Sequence, residues 1–302
     1  MGRNAPEPLC RVIRFEAGDG LDLAGLLYEP TRRSTRAVIF LHGTGGASIF
    51  ESKRTNLLAD VFTRNGIAYF AFNNRGAHVM KRFGSEWQGS AFERIRECVF
   101  DIDGAVRMLR RRGYRDLTLI GHSTGANKVA VYDHFKPRTF IKRYVLLAGG
   151  DDTGLAYAHL GDRKFAAALT KARAMIKAKR GDEILPRGLS PLEPMSWRAW
   201  YDMSNPDGEY NVFPFLEVMR NVRLSRRPRF RFVRGIRKPA LVLYGERDEF
   251  CYDDVPRCVA ILADAIGAKS NVELAIMKDA GHGFGGFEEE LGGLIVNWMD
   301  DN

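Results

Sequence analysis

The residues with the clearest chemical potential are those at 121–125, which read Gly-His-Ser-Thr-Gly. They match the G-x-S-x-G pattern, in which a serine lies on a sharp turn between a strand and a helix. The flanking residues agree with this context, because 117–120 (LTLI) is typical of a buried strand and 126–135 has helical spacing. Ser123 is therefore predicted to be a nucleophile at a helix N-terminus, which favours developing negative charge. The alternative is a tight turn whose serine has no chemical role.

A serine nucleophile needs a general base, and the candidates are the histidines. His282 lies in the segment AGHGF at 280–284, directly after the last predicted strand. The flanking glycines leave the imidazole room to reach the serine, so we expect His282 to take the proton from Ser123. The remaining histidines belong to strand-end turns, to a helix or to an inserted segment: His42, His78, His122, His134 and His159.

The third member of a hydrolytic triad is an acid that orients the base. The segment GERD at 245–248 follows a predicted strand at 240–244 and precedes His282 in the chain. Asp248 is expected to hold the His282 ring and to stabilise its imidazolium form. Glu249 is the alternative acid. The neighbouring carboxylates are expected to be solvated or to cap helices: Glu246, Asp253 and Asp254.

The elements that must position these residues alternate between strand and helix. A hairpin is predicted from the runs 11–16 and 21–28, which flank an Asp-Gly turn. Later strands are predicted at 37–41, 67–72, 117–120, 144–148, 240–244 and 272–277, and helices at 52–65, 97–112, 126–135, 257–266 and 288–299. This alternation predicts an α/β fold whose mostly parallel sheet is covered by helices on both faces.

Residues 151–235 interrupt the alternation. They contain a predicted amphipathic helix at 162–180, followed by several prolines with aromatic residues between them. We therefore predict a catalytic core at 1–150 and 236–302, with a lid at 151–235. Four aromatic residues of the lid are candidates for an apolar substrate pocket, with the interior of the lid itself as the alternative: Trp197, Trp200, Phe213 and Phe215.

Much of the net charge of +9 lies in residues 220–238, at the end of the insertion and just after it, which include nine basic residues and no acidic one. A nucleic-acid patch is conceivable from such a run. The other interpretations are a solvated surface or a rim that attracts anionic substrates. Because the motifs above explain the chain better, no nucleic-acid partner is expected.

Composition and termini narrow the class of protein further. With 45% hydrophobic and 27% charged residues, the 302-residue chain has the composition of a soluble globular protein. Residues 1–10 lack the apolar stretch of a secretory signal, and the apolar runs are too short to span a bilayer. We expect a cytoplasmic protein with no membrane partner, no metal and no organic cofactor. The cysteines lack metal-site spacing and are expected to be reduced: Cys10, Cys98, Cys251 and Cys258.

Together, the motifs HGTGG, GHSTG, GERD and AGHGF resemble those of the α/β-hydrolase superfamily, in the same order, over about residues 20–150 and 236–300. The segment 200–210 (WYDMSNPDGEY), with GHSTG, is similar to a branch that contains fungal siderophore esterases. The start of the sequence (GDGLDLAGLLYEP) resembles feruloyl-type esterases and peptidases of this fold. The resemblance also implies the chain order of the triad, Ser, Asp, His.

The resemblance further assigns a role to His42-Gly43-Thr44-Gly45-Gly46, which follows the strand at 37–41. In this superfamily the loop donates one backbone N–H to the oxyanion, and the residue after the nucleophile donates another. These donors are expected at Thr44 and Thr124, with Gly45 as the competitor of Thr44. A plain glycine-rich turn is the alternative.

The activity implied is a serine hydrolase of carboxylesterase type, acting on a small-molecule ester through an acyl-enzyme. The same triad serves acyltransferases, thioesterases and amidases. The fold also hosts ligand-binding proteins that are not catalysts. The sequence leaves the acyl group, the alcohol and the oligomeric state open.

Overall fold

The computed structural model describes residues 9–44, 47–50, 52–83, 86–190, 194–268 and 271–302. The strands of this part of the chain are β1 (Leu9–Glu16), β2 (Asp22–Glu29), β3 (Arg36–Leu41), β4 (Ala68–Asn73), β5 (Lys81–Phe83), β6 (Glu86–Gln88), β7 (Asp116–His122), β8 (Ile141–Leu147), β9 (Ala240–Arg247) and β10 (Val272–Gly281). The helices are α1 (Lys53–Arg64), α2 (Cys98–Arg111), α3 (Thr124–Phe135), α4 (Asp152–Lys177), α5 (Trp197–Ser204), α6 (Phe215–Met219), α7 (Arg231–Gly235), α8 (Val255–Ile266) and α9 (Glu288–Asp301).

Eight of these strands form one sheet in the order β1-β2-β4-β3-β7-β8-β9-β10. β2 pairs antiparallel with β1 and with β4, whereas every pair from β4 to β10 is parallel. β4 is buried along its whole length, as expected for a strand covered on both faces. The predicted α/β fold with its mostly parallel sheet is confirmed. The separate hairpin of β5 and β6 was not predicted.

The chain reverses its direction across the sheet after β4 and passes back over β3 to reach β7. The step from β3 through α1 to β4 runs one way, and the step from β4 through α2 to β7 runs the other way. Because such crossovers are right-handed, α1 and α2 lie on opposite faces. α9 packs with α1, and α3 packs with α2. Ligands bind at such a switch point, which here lies at the carboxyl ends of β3 and β7, where the HGTGG and GHSTG motifs begin.

The insertion differs in part from its prediction. The helix expected at 162–180 is the second half of α4, which begins earlier, at Asp152, and is kinked at Gly161, where φ is 70°. The short helices α5 to α7 were not predicted, because so few turns give too little periodic signal. α5 is instead fixed by a cap, since the Ser196 hydroxyl accepts the Ala199 N–H at 3.1 Å.

The apolar interior of the insertion is continuous with that of the sheet. Trp200, Phe213 and Phe215 belong to the same buried cluster as the strand residues, and all three are at most 1% exposed. The insertion therefore packs tightly on the body of the protein. Its designation as a lid, with bounds at 151–235, stays a prediction.

Candidate active site

Ser123 occupies a strained turn between β7 and α3. Its φ of 58° and ψ of −129° lie in a region that L-residues rarely adopt. A Cβ added at Gly121 would lie 2.1 Å from the Gly125 carbonyl oxygen, and one at Gly125 would lie 2.5 Å from the Leu41 carbonyl oxygen. Both glycines are therefore required for the close approach of backbone at this turn, as the sequence motif indicates.

The loop that follows β3 passes directly against this serine. A Cβ at Gly43 would be 2.8 Å from the Ser123 Cβ and 3.2 Å from its Oγ. Thr44 is half-buried and Thr124 is buried. Within the described ranges, the backbone N–H groups of these two threonines donate no hydrogen bond. Gly45, the competing donor, lies outside the described residues.

His282, at the end of β10, lies beside the same turn. The His122 Nε2 atom is 2.8 Å from the His282 carbonyl oxygen, and the two imidazole rings are 5.0 Å apart. The ring of Phe250 covers another side of His282, with 4.6 Å between ring centroids. The His282 side chain keeps 13% of its surface exposed.

Asp248 faces the His282 ring. The ring Nδ1 is 3.0 Å from Asp248 Oδ1 and 3.1 Å from Oδ2, and the carboxylate is 1% exposed. Glu249, the alternative acid, accepts the backbone N–H of His282 at 3.3 Å instead. The structure thus brings Asp248 to the ring and Glu249 to the backbone of the same histidine. As expected for a capping carboxylate, Asp254 accepts the Arg257 N–H at the start of α8.

His42 is close in sequence to the oxyanion loop but is unsuited to act as a base. Burial, together with the charge of Lys128, lowers the pKa of His42 to about 3. Its Nδ1 is 2.7 Å from the Gly43 carbonyl oxygen. The ring is therefore neutral at ordinary pH and holds the loop in place.

The first turns of α3 contain two buried polar residues that sequence reasoning missed. Lys128 is completely buried and pairs with Glu93, with 2.6 Å between Nζ and Oε1. It also donates to Asn74 Oδ1 at 3.1 Å. Asn127 donates to the Gly150 carbonyl oxygen at 2.8 Å and accepts the Gly150 N–H at 3.1 Å. These contacts tie the helix of the nucleophile to the ends of β4 and β8.

Two buried carboxylates follow β8. Asp151 accepts hydrogen bonds from the Gly154 and Leu216 N–H groups, both at 2.8 Å, and from the Tyr252 hydroxyl at 2.9 Å. Burial raises the pKa of Asp151 to about 6. Burial and the adjacent Asp151 raise the pKa of Asp152 to about 7, against the opposing charges of His282 and Lys128. Sequence reasoning did not single out either residue.

The four aromatic candidates make different packing contacts. All are buried, and Phe213 lies at the end of β8, where a Cβ at Gly149 would be 2.2 Å from its ring. Phe215 stacks on Phe213 with 5.9 Å between centroids. Trp200 packs against Phe165, and Trp197 is buried in the same apolar cluster. Their role in substrate binding stays a prediction.

The basic segment 220–238 lies partly at the surface. Arg226, Arg227 and Arg229 are exposed, and the Arg226 side chain, 88% exposed, makes a loose ion pair with Asp207 at 3.5 Å. Arg231 instead donates to the backbone carbonyl oxygen of Gly208. Attraction of an anionic substrate by this segment stays a prediction.

In the part of the chain that the structure describes, no three or more His, Cys, Asp or Glu residues are grouped as a metal site would require. Over the same ranges, no helix combines the length and the apolar character needed to cross a bilayer.

Known structures share this architecture at low sequence identity. Est1E from Butyrivibrio proteoclasticus, in a structure with bound ferulic acid, is 17% identical, with a TM-score of 0.62 over 95% of this chain and 98% of Est1E. The Pyrococcus furiosus esterase Pf2001 is 17% identical, with a TM-score of 0.60 over 100% of this chain and 95% of the esterase. The α/β hydrolase GrgF from Penicillium sp. sh18 is 18% identical, with a TM-score of 0.65 over 97% and 98% of the two chains.

A comparison with curated protein sequences finds no match. The model of the alpha/beta hydrolase family matches residues 38–291, which is most of the chain and includes the HGTGG, GHSTG, GERD and AGHGF motifs. The chain therefore belongs to the alpha/beta hydrolase family.

Proposed function

We propose that the protein is a serine hydrolase of carboxylesterase type that acts through Ser123, His282 and Asp248. The observation that carries the proposal is the contact of both Asp248 carboxylate oxygens with the His282 Nδ1, beside the strained turn of Ser123. A carboxylate at Nδ1 fixes the tautomer whose Nε2 is free to accept a proton. That is the state a base needs in order to activate a serine.

In the proposed reaction, Ser123 Oγ attacks the ester carbonyl carbon while His282 Nε2 takes its proton. The backbone N–H groups of Thr44 and Thr124 stabilise the oxyanion. His282 then protonates the departing alcohol, which leaves Ser123 acylated. Water, deprotonated by His282, attacks the acyl-enzyme and releases the carboxylic acid and the free serine.

Asp248 is preferred to Glu249 as the acid because the two make different contacts. Asp248 is enclosed and faces a ring nitrogen, where its charge can stabilise an imidazolium. Glu249 binds a backbone amide of the same residue and so contributes to the position of the loop. Likewise, we propose that residues 151–235 form a lid, with Phe213 at its contact with the end of β8.

An ester substrate is favoured because the similar structure Pf2001 is an esterase. The direct test is a panel of p-nitrophenyl esters of increasing acyl length, with the release of p-nitrophenol followed over time. We expect turnover of some of them and an initial burst where deacylation is slow. No turnover of any ester by the folded wild-type protein above the rate of the Ser123→Ala variant would contradict the proposal.

A further inference from the structure

Phe250 is a large apolar residue that stays exposed in the turn between β9 and α8. It lies two residues after Asp248 and is 37% exposed. Its backbone N–H donates to Asp248 Oδ1 at 3.0 Å, and the same oxygen lies 3.0 Å from the Nδ1 atom of His282. The Cys251 N–H closes the turn on the Asp248 carbonyl oxygen at 3.1 Å. A single carboxylate oxygen therefore fixes the backbone of Phe250 relative to the proposed base.

The side chain of Phe250 contacts that base directly. The rings of Phe250 and His282 meet edge to face, with 4.6 Å between their centroids and 66° between their planes. Within the described part of the chain, His282 is the only aromatic ring that Phe250 contacts. The other ring beside His282 is that of His122, which is half-buried and has its Nε2 atom 2.8 Å from the His282 carbonyl oxygen. Phe250 is therefore the exposed aromatic neighbour of the base.

The proposed reaction determines where the alcohol part of the ester lies. Because the Nδ1 atom of His282 contacts Asp248, the proton for the departing alcohol comes from Nε2. The alcohol oxygen must then approach Nε2 to within about 3 Å. The group attached to this oxygen consequently lies beside the imidazole, within reach of a ring that already touches the imidazole.

We propose that Phe250 is a specificity residue that packs against the alcohol part of the ester and favours large apolar alcohols, above all aromatic ones. This inference rests on the proposed function and names the class of leaving group. An apolar alcohol that covers Phe250 removes two apolar surfaces from water. An aromatic alcohol gains a further contact between rings.

A structural role for Phe250 makes a different prediction. If its ring only shields the contact between Asp248 and His282 from water, its removal impairs every step that uses His282, for all esters alike. A contact with the alcohol affects acylation alone, because the alcohol has left before water attacks the acyl-enzyme. Comparing acylation with deacylation therefore separates the two roles.

The first experiment compares two esters of one acid, the ethyl ester and the 3-phenylpropyl ester, with the acyl group chosen from the p-nitrophenyl panel. Both alcohols are unactivated primary alcohols, so their esters differ mainly in size. Their kcat/KM values are measured from acid release at constant pH. We expect the ratio of 3-phenylpropyl to ethyl ester to fall roughly tenfold or more in Phe250→Ala, and Phe250→Leu to restore part of it.

Phe140→Ala is the matched control. Phe140 is also an exposed phenylalanine, 58% exposed, but it precedes β8 at the amino end of the strand and contacts Arg110. The amino ends of the parallel strands face away from the site, so this variant should keep the wild-type ratio. An unchanged ratio in a folded Phe250→Ala variant would overturn the inference.

The second experiment measures deacylation separately, from the decay of the acyl-enzyme that the p-nitrophenyl ester of the same acid forms. Phe250→Ala should deacylate within about twofold of the wild-type rate. Slower deacylation, together with an equal loss for both alkyl esters, would assign Phe250 the shielding role instead. If the wild type forms no acyl-enzyme, the proposed function itself fails, whereas an acyl-enzyme with an unchanged ester ratio contradicts only the role of Phe250.

Discussion

Two pairs of a basic and an acidic side chain flank the start of α3, and they differ in how far they are buried. In the first, Lys128 and Glu93 have side chains 0% and 3% exposed and are 2.6 Å apart. In the second, His282 and Asp248 are 3.0 Å apart, but the histidine keeps 13% of its side chain exposed. The ammonium of the first pair is also engaged by Asn74. In the second pair, the Nδ1 atom of His282 contacts the Asp248 carboxylate.

This difference in exposure indicates two different roles, one in stabilising the fold and one in the reaction. An enclosed pair cannot touch a substrate or exchange protons readily with solvent, so Lys128 and Glu93 are suited to fix the helix of the nucleophile against the loop after β4. A pair that is open on one side can pass a proton. We therefore expect changes at the open pair to alter chemistry and changes at the enclosed pair to alter stability. The following experiments test this division.

The largest effect on chemistry is expected at the nucleophile itself. Ser123→Ala removes the attacking oxygen and should lower kcat for p-nitrophenyl esters by about 10⁴-fold or more. The free energy of unfolding should stay within about 1 kcal/mol of the wild type, because no packing is lost. Activity within tenfold of the wild type would show that Ser123 is not the nucleophile.

The open pair comes next. Asp248→Asn should lower kcat by roughly 10³-fold, since the amide no longer stabilises the imidazolium or selects the productive tautomer. Glu249→Gln is the matched control and should retain most of the activity, because Glu249 contacts the backbone of His282. The opposite ranking would transfer the acid role to Glu249.

The enclosed pair should affect folding instead. Lys128→Met leaves the Glu93 carboxylate buried without its cation and should cost about 3 kcal/mol or more of unfolding free energy, measured by chemical denaturation. Adding Glu93→Gln removes the orphaned charge and should recover a large part of the loss. A folded Lys128→Met variant of wild-type stability and reduced kcat would instead place this pair in the chemistry.

The smallest effect is a dependence of stability on pH. The pKa values of Asp151 and Asp152 are raised to about 6 and about 7 in the folded chain, above the value of about 3.9 for an unfolded aspartate. The folded state therefore binds more protons between about pH 4 and 7, and this contribution to stability is lost as the pH rises through that range. Lys128 and His282 oppose the shift of Asp152.

The corresponding measurement compares unfolding free energies of the wild type and Asp152→Asn at pH 5 and pH 8. The neutral amide does not titrate, so the variant should gain stability relative to the wild type at the higher pH. A difference that does not change with pH would mean that Asp152 is not protonated preferentially on folding.

The sequence predicted the parts of the site that depend on local backbone constraints. Gly121 and Gly125 are visible in the motif because the turn leaves no room for a Cβ, and Asp248 and His282 directly follow the strands β9 and β10. The Lys128–Glu93 pair could not be predicted in this way, because its members are far apart in the chain. The only trace in the sequence is a lysine directly before the apolar run 129–131 of α3.

The insertion was harder to predict for a related reason. The regular half of α4 repeats its apolar positions over several turns, whereas α5 to α7 are too short to do so. The sequence did not single out Asp152, which follows Gly149-Gly150 and begins a helix that is kinked at Gly161. Its hydrogen-bond partner Asn127 is supplied by a different strand–helix unit.

The central claim is that Ser123 is an activated nucleophile, and covalent labelling tests it most directly. The folded protein is treated with a fluorophosphonate, and the modified peptide is identified by mass spectrometry. We expect a single adduct on Ser123 that is absent from Ser123→Ala and forms much more slowly in Asp248→Asn. A folded wild-type protein that remains unlabelled, or that is labelled elsewhere with Ser123 intact, would contradict the account.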